Sequence, residues 1–239
     1  MYRSIRYWTW GTASVLSLTI LSLLFAYSSF GGSFVEQLGG KQGETLVKRA
    51  RALAAAKDTT AAIATYRVAV EKQFDSAQQR HWARREYAGL LHSTAQYEKA
   101  ASILRVCVSE FPADMQPWSA LCGALAAAEK YQELAEAAGQ WYQSAEQLDD
   151  ASNRSLARYY LGLAQEKQGN PDAAVATYLV GHSIDPKGLN AYHAAVLLNA
   201  MGDDVQAGQL LNQFIPHSSG WRRDAAVRLR ARIEPKTPK

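Results

Sequence analysis

The side chains that most often carry chemistry are present in this chain, but their spacing does not assemble them into a reactive site. Five histidines, His81, His92, His182, His193 and His217, show no paired metal-ligand spacing, and neither H-E-x-x-H nor C-x-x-C occurs. There is no G-x-S-x-G nucleophile elbow and no phosphate-binding loop. Asp149 and Asp150 form an acidic pair, but ahead of a predicted helix, where aspartate serves as a cap in a solvated turn. Asn153, Arg154 and Ser155 make a glycosylation acceptor triplet, which has a use only in a eukaryotic secretory setting. These residues argue for no catalytic group, no metal, no cofactor and no small-molecule substrate. What remains is a protein that binds.

The elements that must position the binding residues are helical. The chain is 48% apolar and 20% charged, the profile of a folded protein, and alanine-rich text with few β-branched runs favours helix. Charge is unevenly placed. From His217 onward, Arg222, Arg223, Arg228, Arg230, Arg232, Lys236 and Lys239 face only Asp224 and Glu234, so this segment is +5 and the rest of a +4 chain is −1. A nucleic-acid binder spreads basic residues along a working face, so no nucleic acid is expected as partner. A basic terminal helix that is simply solvated, or that touches anionic lipid or an acidic partner, fits better.

Arg3 and Arg6 precede a stretch without charge from Tyr7 to Phe30, whose centre runs from Val15 to Ala26. Its 24 residues, at about 1.5 Å each, suffice for a hydrocarbon core of about 30 Å. Tyr7, Trp8 and Trp10 stand near one end and Tyr27 and Phe30 near the other, as interfacial aromatics do. Residues 1–30 therefore read as one transmembrane signal-anchor helix, with the amino terminus in the cytoplasm and the body exported. The alternative is a cleaved signal peptide, with small residues around Ala26 and Ser28 and a secreted or periplasmic product. Lys48, Arg49 and Arg51 temper the charge asymmetry. A Gly- and Ser-rich stretch, Ser28 to Gly43, reads as a flexible tether, with residues 31–42 as the linker proper.

The body repeats itself. Leu161, Gly162, Gly169, Ala174, Tyr178, Gly181 and Pro186 recur in kind elsewhere: Ala62, Ala100, Leu134, Ala174 and Ala207 are equivalent, and lie near a 34-residue period. Small residues let two helices approach, and Leu161 and Tyr178 fill the space beside them. Asn170 is placed to cap a second helix whose first position suits Pro171, and Pro186 ends it. The longer intervals fit loop insertions around Ser76 to Arg80 and Asp149 to Arg154. This pattern resembles the tetratricopeptide repeat over about five tandem units, residues 43–216. Phe74 stands where the family has proline. Residues 217–239, with Trp221, Ala225, Val227, Leu229 and Ile233 among arginines, read as a basic capping helix and tail.

The resemblance implies an all-α fold, a right-handed superhelix of antiparallel helix pairs, here preceded by one transmembrane helix. It implies that the first helix of each unit lines a concave groove, with Trp82, Arg85 and His92, Tyr159 and Leu163, and Tyr192 as partner-binding residues. Aromatics and arginine are the types that concentrate binding energy. It also places Cys107 and Cys122 at small packing positions on touching helices, either as a disulfide in an oxidising compartment or as two buried thiols. The Lys/Asn arrangement with which some members clamp a terminal carboxylate is absent. Expected partners are a protein and, through the first 30 residues, a membrane. The expected role is a tethered interaction scaffold or assembly factor on the periplasmic face of a bacterial inner membrane. A fixed subunit of a larger membrane complex is the alternative.

Overall fold

The computed structural model describes residues 42–233. The expected anchor, most of the expected linker and the tail beyond Ile233 lie outside the described residues. Two compact units divide the chain, Met1–Ala83 and Arg84–Lys239. In the first lie helix α1 (42–55) and helix α2 (Thr59–Ala69). Helix α3 (Ala77–Ser93) contributes residues to both units. The second unit continues with α4 (Tyr97–Glu110), α5 (Met115–Ala127), α6 (Tyr131–Gln147), α7 (Ala151–Lys167), α8 (Pro171–Ile184), α9 (Asn190–Ala200), α10 (Asp204–Phe214), a 3-10 turn (Ile215–His217) and α11 (Gly220–Ile233). There is no strand among the described residues, and no helix among them is long and apolar enough to cross a membrane.

One turn geometry closes every hairpin. Lys57, Ala95, Glu129, Gly169 and Gly202 all adopt positive φ, at 62°, 58°, 58°, 82° and 89°. After each, a backbone N–H returns to a carbonyl of the preceding helix: Asp58 to Leu53, Gln96 to Leu91, Lys130 to Leu125, Asn170 to Gln165 and Asp203 to Leu198, at 2.9–3.0 Å. This left-handed close satisfies carbonyls that the ending helix would leave open. The next residue then caps the following helix. Asp58 and Asp203 accept from Ala61 and Gln206 through their carboxylates. Asn170 holds the cap position without a side-chain bond, contrary to the sequence expectation; Pro171 does occupy the first turn.

The second long interval is taken up by helix rather than by a loop insertion, and the first by a longer α3 that follows a connection at 70–76. Ser76 and Gln79 form a reciprocal capping box at 3.0 and 3.1 Å, so the segment expected as a loop starts the 17-residue α3. Asp149 turns the chain at φ 52° and Asp150 accepts from the Asn153 N–H at 3.0 Å, which starts the 17-residue α7 directly after the 17-residue α6. That bond holds the Asp150 carboxyl below its ordinary range. Extra residues in alanine-rich text extend a helix because each adds a hydrogen bond once the nucleus exists. Gln42 and Gly43 are helical, in the first turn of α1.

In the second unit, helix contacts give the stack a sidedness. Across hairpins α5 touches α7, α7 touches α9 and α9 touches α11, whereas α4, α6, α8 and α10 touch none of one another among the described residues. Helices α5, α7, α9 and α11 therefore crowd on the inner side, and α4, α6, α8 and α10 fan out. The core between them is alanine with a few large anchors. Gly162 meets Tyr178 so closely that an added Cβ would lie 2.5 Å from its ring, and the ring is wholly buried. Gly181 makes room in the same way for Asn190. Asn190 is buried, its amide donating to the Ser155 carbonyl and hydroxyl at 3.0 Å while Ser155 donates to the Gly181 carbonyl. A buried polar latch thus joins α7, α8 and α9, each donor in it matched to an acceptor.

Candidate functional site

The inner helices of the second unit present small residues at one end and aromatic ones at the other. On α5, Ser119, Gly123 and Ala126 are half-buried, and Gly89 on α3 is exposed. A Cβ on Gly89 would meet nothing within 4 Å, and one on Gly123 would meet only the Tyr160 hydroxyl at 3.6 Å. Helical glycine costs roughly 0.5–1 kcal/mol against alanine. At Gly89 no packing constraint among the described residues explains that cost.

On α7 and α9 the inner face is an aromatic seam. His193 sits in it, its ring centroid 5.0 Å from Tyr159, 5.4 Å from Tyr192 and 5.5 Å from Tyr178. Tyr192 continues to Phe214 at 5.8 Å, and Tyr159 to Tyr160 at 5.0 Å. Spacings of this kind suit tilted and edge-to-face pairs. Burial lowers the pKa of His193, with the Glu166 charge opposing it. Burial raises Tyr159 and Tyr178, and pushes Tyr160 up to about 12. Tyr178 donates to Glu166 Oε2 at 3.2 Å. The seam is therefore a set of neutral rings with one carboxylate beside it. It suits an apolar or aromatic side chain better than proton transfer.

The residues singled out from sequence fall into three groups. Tyr159 and Tyr192 are brought together through His193, and Leu163 is half-buried on the same face. His92 is exposed and packs edge-on against Tyr97 at 5.1 Å, while Arg85 is committed to Asp114, the cap of α5, at 2.9 Å. Trp82 belongs to the first unit, where it is 51% exposed and lines a cavity of about 260 Å³ with Val47, Lys48 and Phe74. The centre of the seam, His193, was missed by sequence reasoning. Its position beside Tyr192 shows no spacing that marks it, because its partners come from α7 and α8.

Cys107 and Cys122 are free thiols, both buried, so the bridge offered as one alternative is not formed in this structure. Burial pushes Cys107 up to about 11 and raises Cys122 further, which keeps both protonated and unreactive. Among the described residues no group of three or more His, Cys, Asp or Glu side chains is placed to hold a metal ion.

Two stretches, residues 44–73 and 156–180, match the tetratricopeptide repeat model; they correspond to α1–α2 and α7–α8. A search of curated protein sequences returns no match. Among solved structures the chain is similar to PilF of Pseudomonas aeruginosa, at 17% identity and TM-score 0.57 over 80% of this chain and 82% of that one. It is similar to MamA of Desulfovibrio magneticus, at 11% identity and TM-score 0.57 over 75% and 96%. It is also similar to YrrB, described as a tetratricopeptide protein with an unusual peptide-binding site, at 16% identity and TM-score 0.54 over 82% and 97%. Proteins of this fold generally mediate protein–protein interactions and generally act without catalysis. The chain thus carries two segments that match the tetratricopeptide repeat, and its described residues have the all-α helical-repeat fold of the proteins built from it.

Proposed function

We propose that the chain is a membrane-tethered scaffold or assembly factor that holds a segment of a partner protein against the inner face of α3, α5, α7 and α9. One observation carries this reading: Gly89, which the resemblance puts on the inner face, is exposed where a side chain would fit, and half-buried aromatics stand at Tyr159 and Tyr192. A floor of small residues admits a partner backbone closely, and aromatic anchors supply the energy. The likeness to YrrB, a protein described as having a peptide-binding site, supports it. The uncharged stretch from Tyr7 to Phe30, after Arg3 and Arg6, supports anchoring with the body on the periplasmic face of a bacterial inner membrane. Tethering raises the rate of meeting membrane-bound partners by effective concentration.

Gly89→Arg fills the inner face without disturbing the packing. Affinity capture from membranes with the full chain and this variant tests the reading: the variant should lose its partner at least tenfold, with unchanged thermal stability. Retention of every partner by Gly89→Arg and by Tyr192→Ala would sink it.

A second reading, a fixed subunit of a larger complex, draws support from the outer side. There α4, α5 and α6 frame an open cavity of about 550 Å³ that includes Val108, Trp118, Leu121 and Ala137.

A further inference from the structure

Helix α11 carries apolar side chains on a side that the fold does not use. Its inward side holds Ala226 and Leu229, both buried in the cluster that closes the unit, with half-buried Ile233 packed against it. A helix whose whole task is to cap a stack turns polar residues outward. On α11, Trp221 is 69% exposed and Val227 is 46% exposed, both among arginines. Trp221, Arg228 and Arg232 are separated by seven and then four residues, so at about 3.6 residues per turn they fall along one edge of the helix.

The charge beside these apolar groups is unspent. The 14 residues Gly220–Ile233 hold five arginines and a single carboxylate, Asp224. Arg222, Arg223, Arg228 and Arg232 are exposed and form no ion pair among the described residues. Arg84, Arg85, Arg105 and Arg154, by contrast, each meet a carboxylate. Arg222 lies over the Trp221 ring, 5.6 Å from its centroid. Arg230 is half-buried and donates to Asn212 at 2.9 Å.

We propose that the outward side of α11 docks on an anionic lipid surface, with Trp221 entering the headgroup layer and Arg228 and Arg232 taking lipid phosphates along the same edge. About four to eight basic residues on a helix that also exposes apolar side chains is the pattern of a helix lying on an anionic bilayer. Indole prefers the level of the headgroups, and guanidinium pairs with phosphate through two parallel hydrogen bonds. A straight edge suits a plane, because side chains in line reach it together. Capping the stack and touching lipid do not compete, since Ala226 and Leu229 face inward while Trp221 and Arg228 stay exposed. This contact is independent of the inner-face reading and separate from the stretch Tyr7–Phe30.

The test uses the full chain with an environment-sensitive nitrobenzoxadiazole label on Ala231→Cys, an exposed position of α11; Cys107 and Cys122 are buried and leave it the reactive thiol. Vesicles are made of phosphatidylcholine alone or of phosphatidylcholine with phosphatidylglycerol. The anionic vesicles should brighten and blue-shift the label, and spin-labelled lipid should quench it; neutral vesicles should do neither. Arg228→Gln/Arg232→Gln should need at least tenfold more anionic lipid for half the response, and Trp221→Ala several-fold more. Lys99→Gln/Lys130→Gln removes the same charge away from α11 and should respond as the parent does. An unchanged label on anionic vesicles, an equal response to neutral ones, or an equal response by the double arginine variant overturns the proposal. So does release from the vesicles by polyglutamate or duplex DNA at matched charge, which would show a face that answers to charge alone. Flotation read in parallel separates the two membrane contacts. A chain that floats with neutral vesicles while the label stays unchanged on anionic ones keeps the anchor and removes this face; a label response without flotation on neutral vesicles does the reverse.

Discussion

Gly162 and Gly89 are both helical glycines in this chain, yet they are there for opposite reasons. Gly162 is pressed by the buried Tyr178 ring, and Gly181 by the buried Asn190 side chain, with an added Cβ at 2.5 Å in both cases. Neither neighbour has room to retreat. Gly162→Ala and Gly181→Ala should each lose about 1–3 kcal/mol, the usual cost of overpacking. Gly89→Ala meets nothing within 4 Å and should gain about 0.5–1 kcal/mol from helix propensity alone. Urea unfolding of the three variants separates the cases, and a Gly162→Ala variant as stable as the parent would show that the ring is not tightly held. The spacing of Gly162 was legible in sequence because close packing recurs with the repeat. The openness of Gly89 was not, because it depends on what other helices leave empty.

At the scale of the element, the hairpin turn is the unit that repeats most faithfully. The positive-φ positions at 57, 95, 129, 169 and 202 keep the register of the repeated alanines, although only two of the five are glycine. Lys57, Ala95 and Glu129 hold a left-handed conformation that costs an L-residue roughly 1–2 kcal/mol. Glycine gives back part of that gain through its greater freedom when unfolded. Ala95→Gly should therefore stabilise by about 0.5–1 kcal/mol, and Gly169→Ala should destabilise by about 1 kcal/mol or more. Thermal or urea denaturation reads both signs, and a destabilised Ala95→Gly would contradict the shared turn geometry. Gly169 reads as a turn from the sequence, and tertiary packing of the two helices imposes the same turn at Ala95. The same override turned the expected loops near Ser76 and Asp149 into helix starts.

For the molecule as a whole, α11 closes the apolar end of its unit. Ala226 and Leu229 join Ala207, Leu210, Leu211 and Phe214 in one buried cluster, while Trp221 and Val227 stay exposed. The arginines lie on the outside of this cap, apart from Arg230, which donates to Asn212 at 2.9 Å. Ending the chain after His217 should cost about 2–5 kcal/mol, since burying a leucine contributes about 1.5–3 kcal/mol and the alanine and helix contacts add to it. The truncated chain should melt earlier and bind a hydrophobic dye. An unchanged melting curve would show that α11 is an appendage and not a cap.

By itself the sequence determined the class of fold, the positions of small residues between helices and the charge of the last helix. These follow from local periodicity and from side-chain size, which are written residue by residue. Only the tertiary structure decided that His193 joins Tyr159 and Tyr192, that Arg85 is committed to Asp114, and that both cysteines are free. Each of those facts joins residues from different helices. Their proximity depends on how helices cross and how far each one extends, and a linear pattern with two lengthened repeats does not carry that geometry.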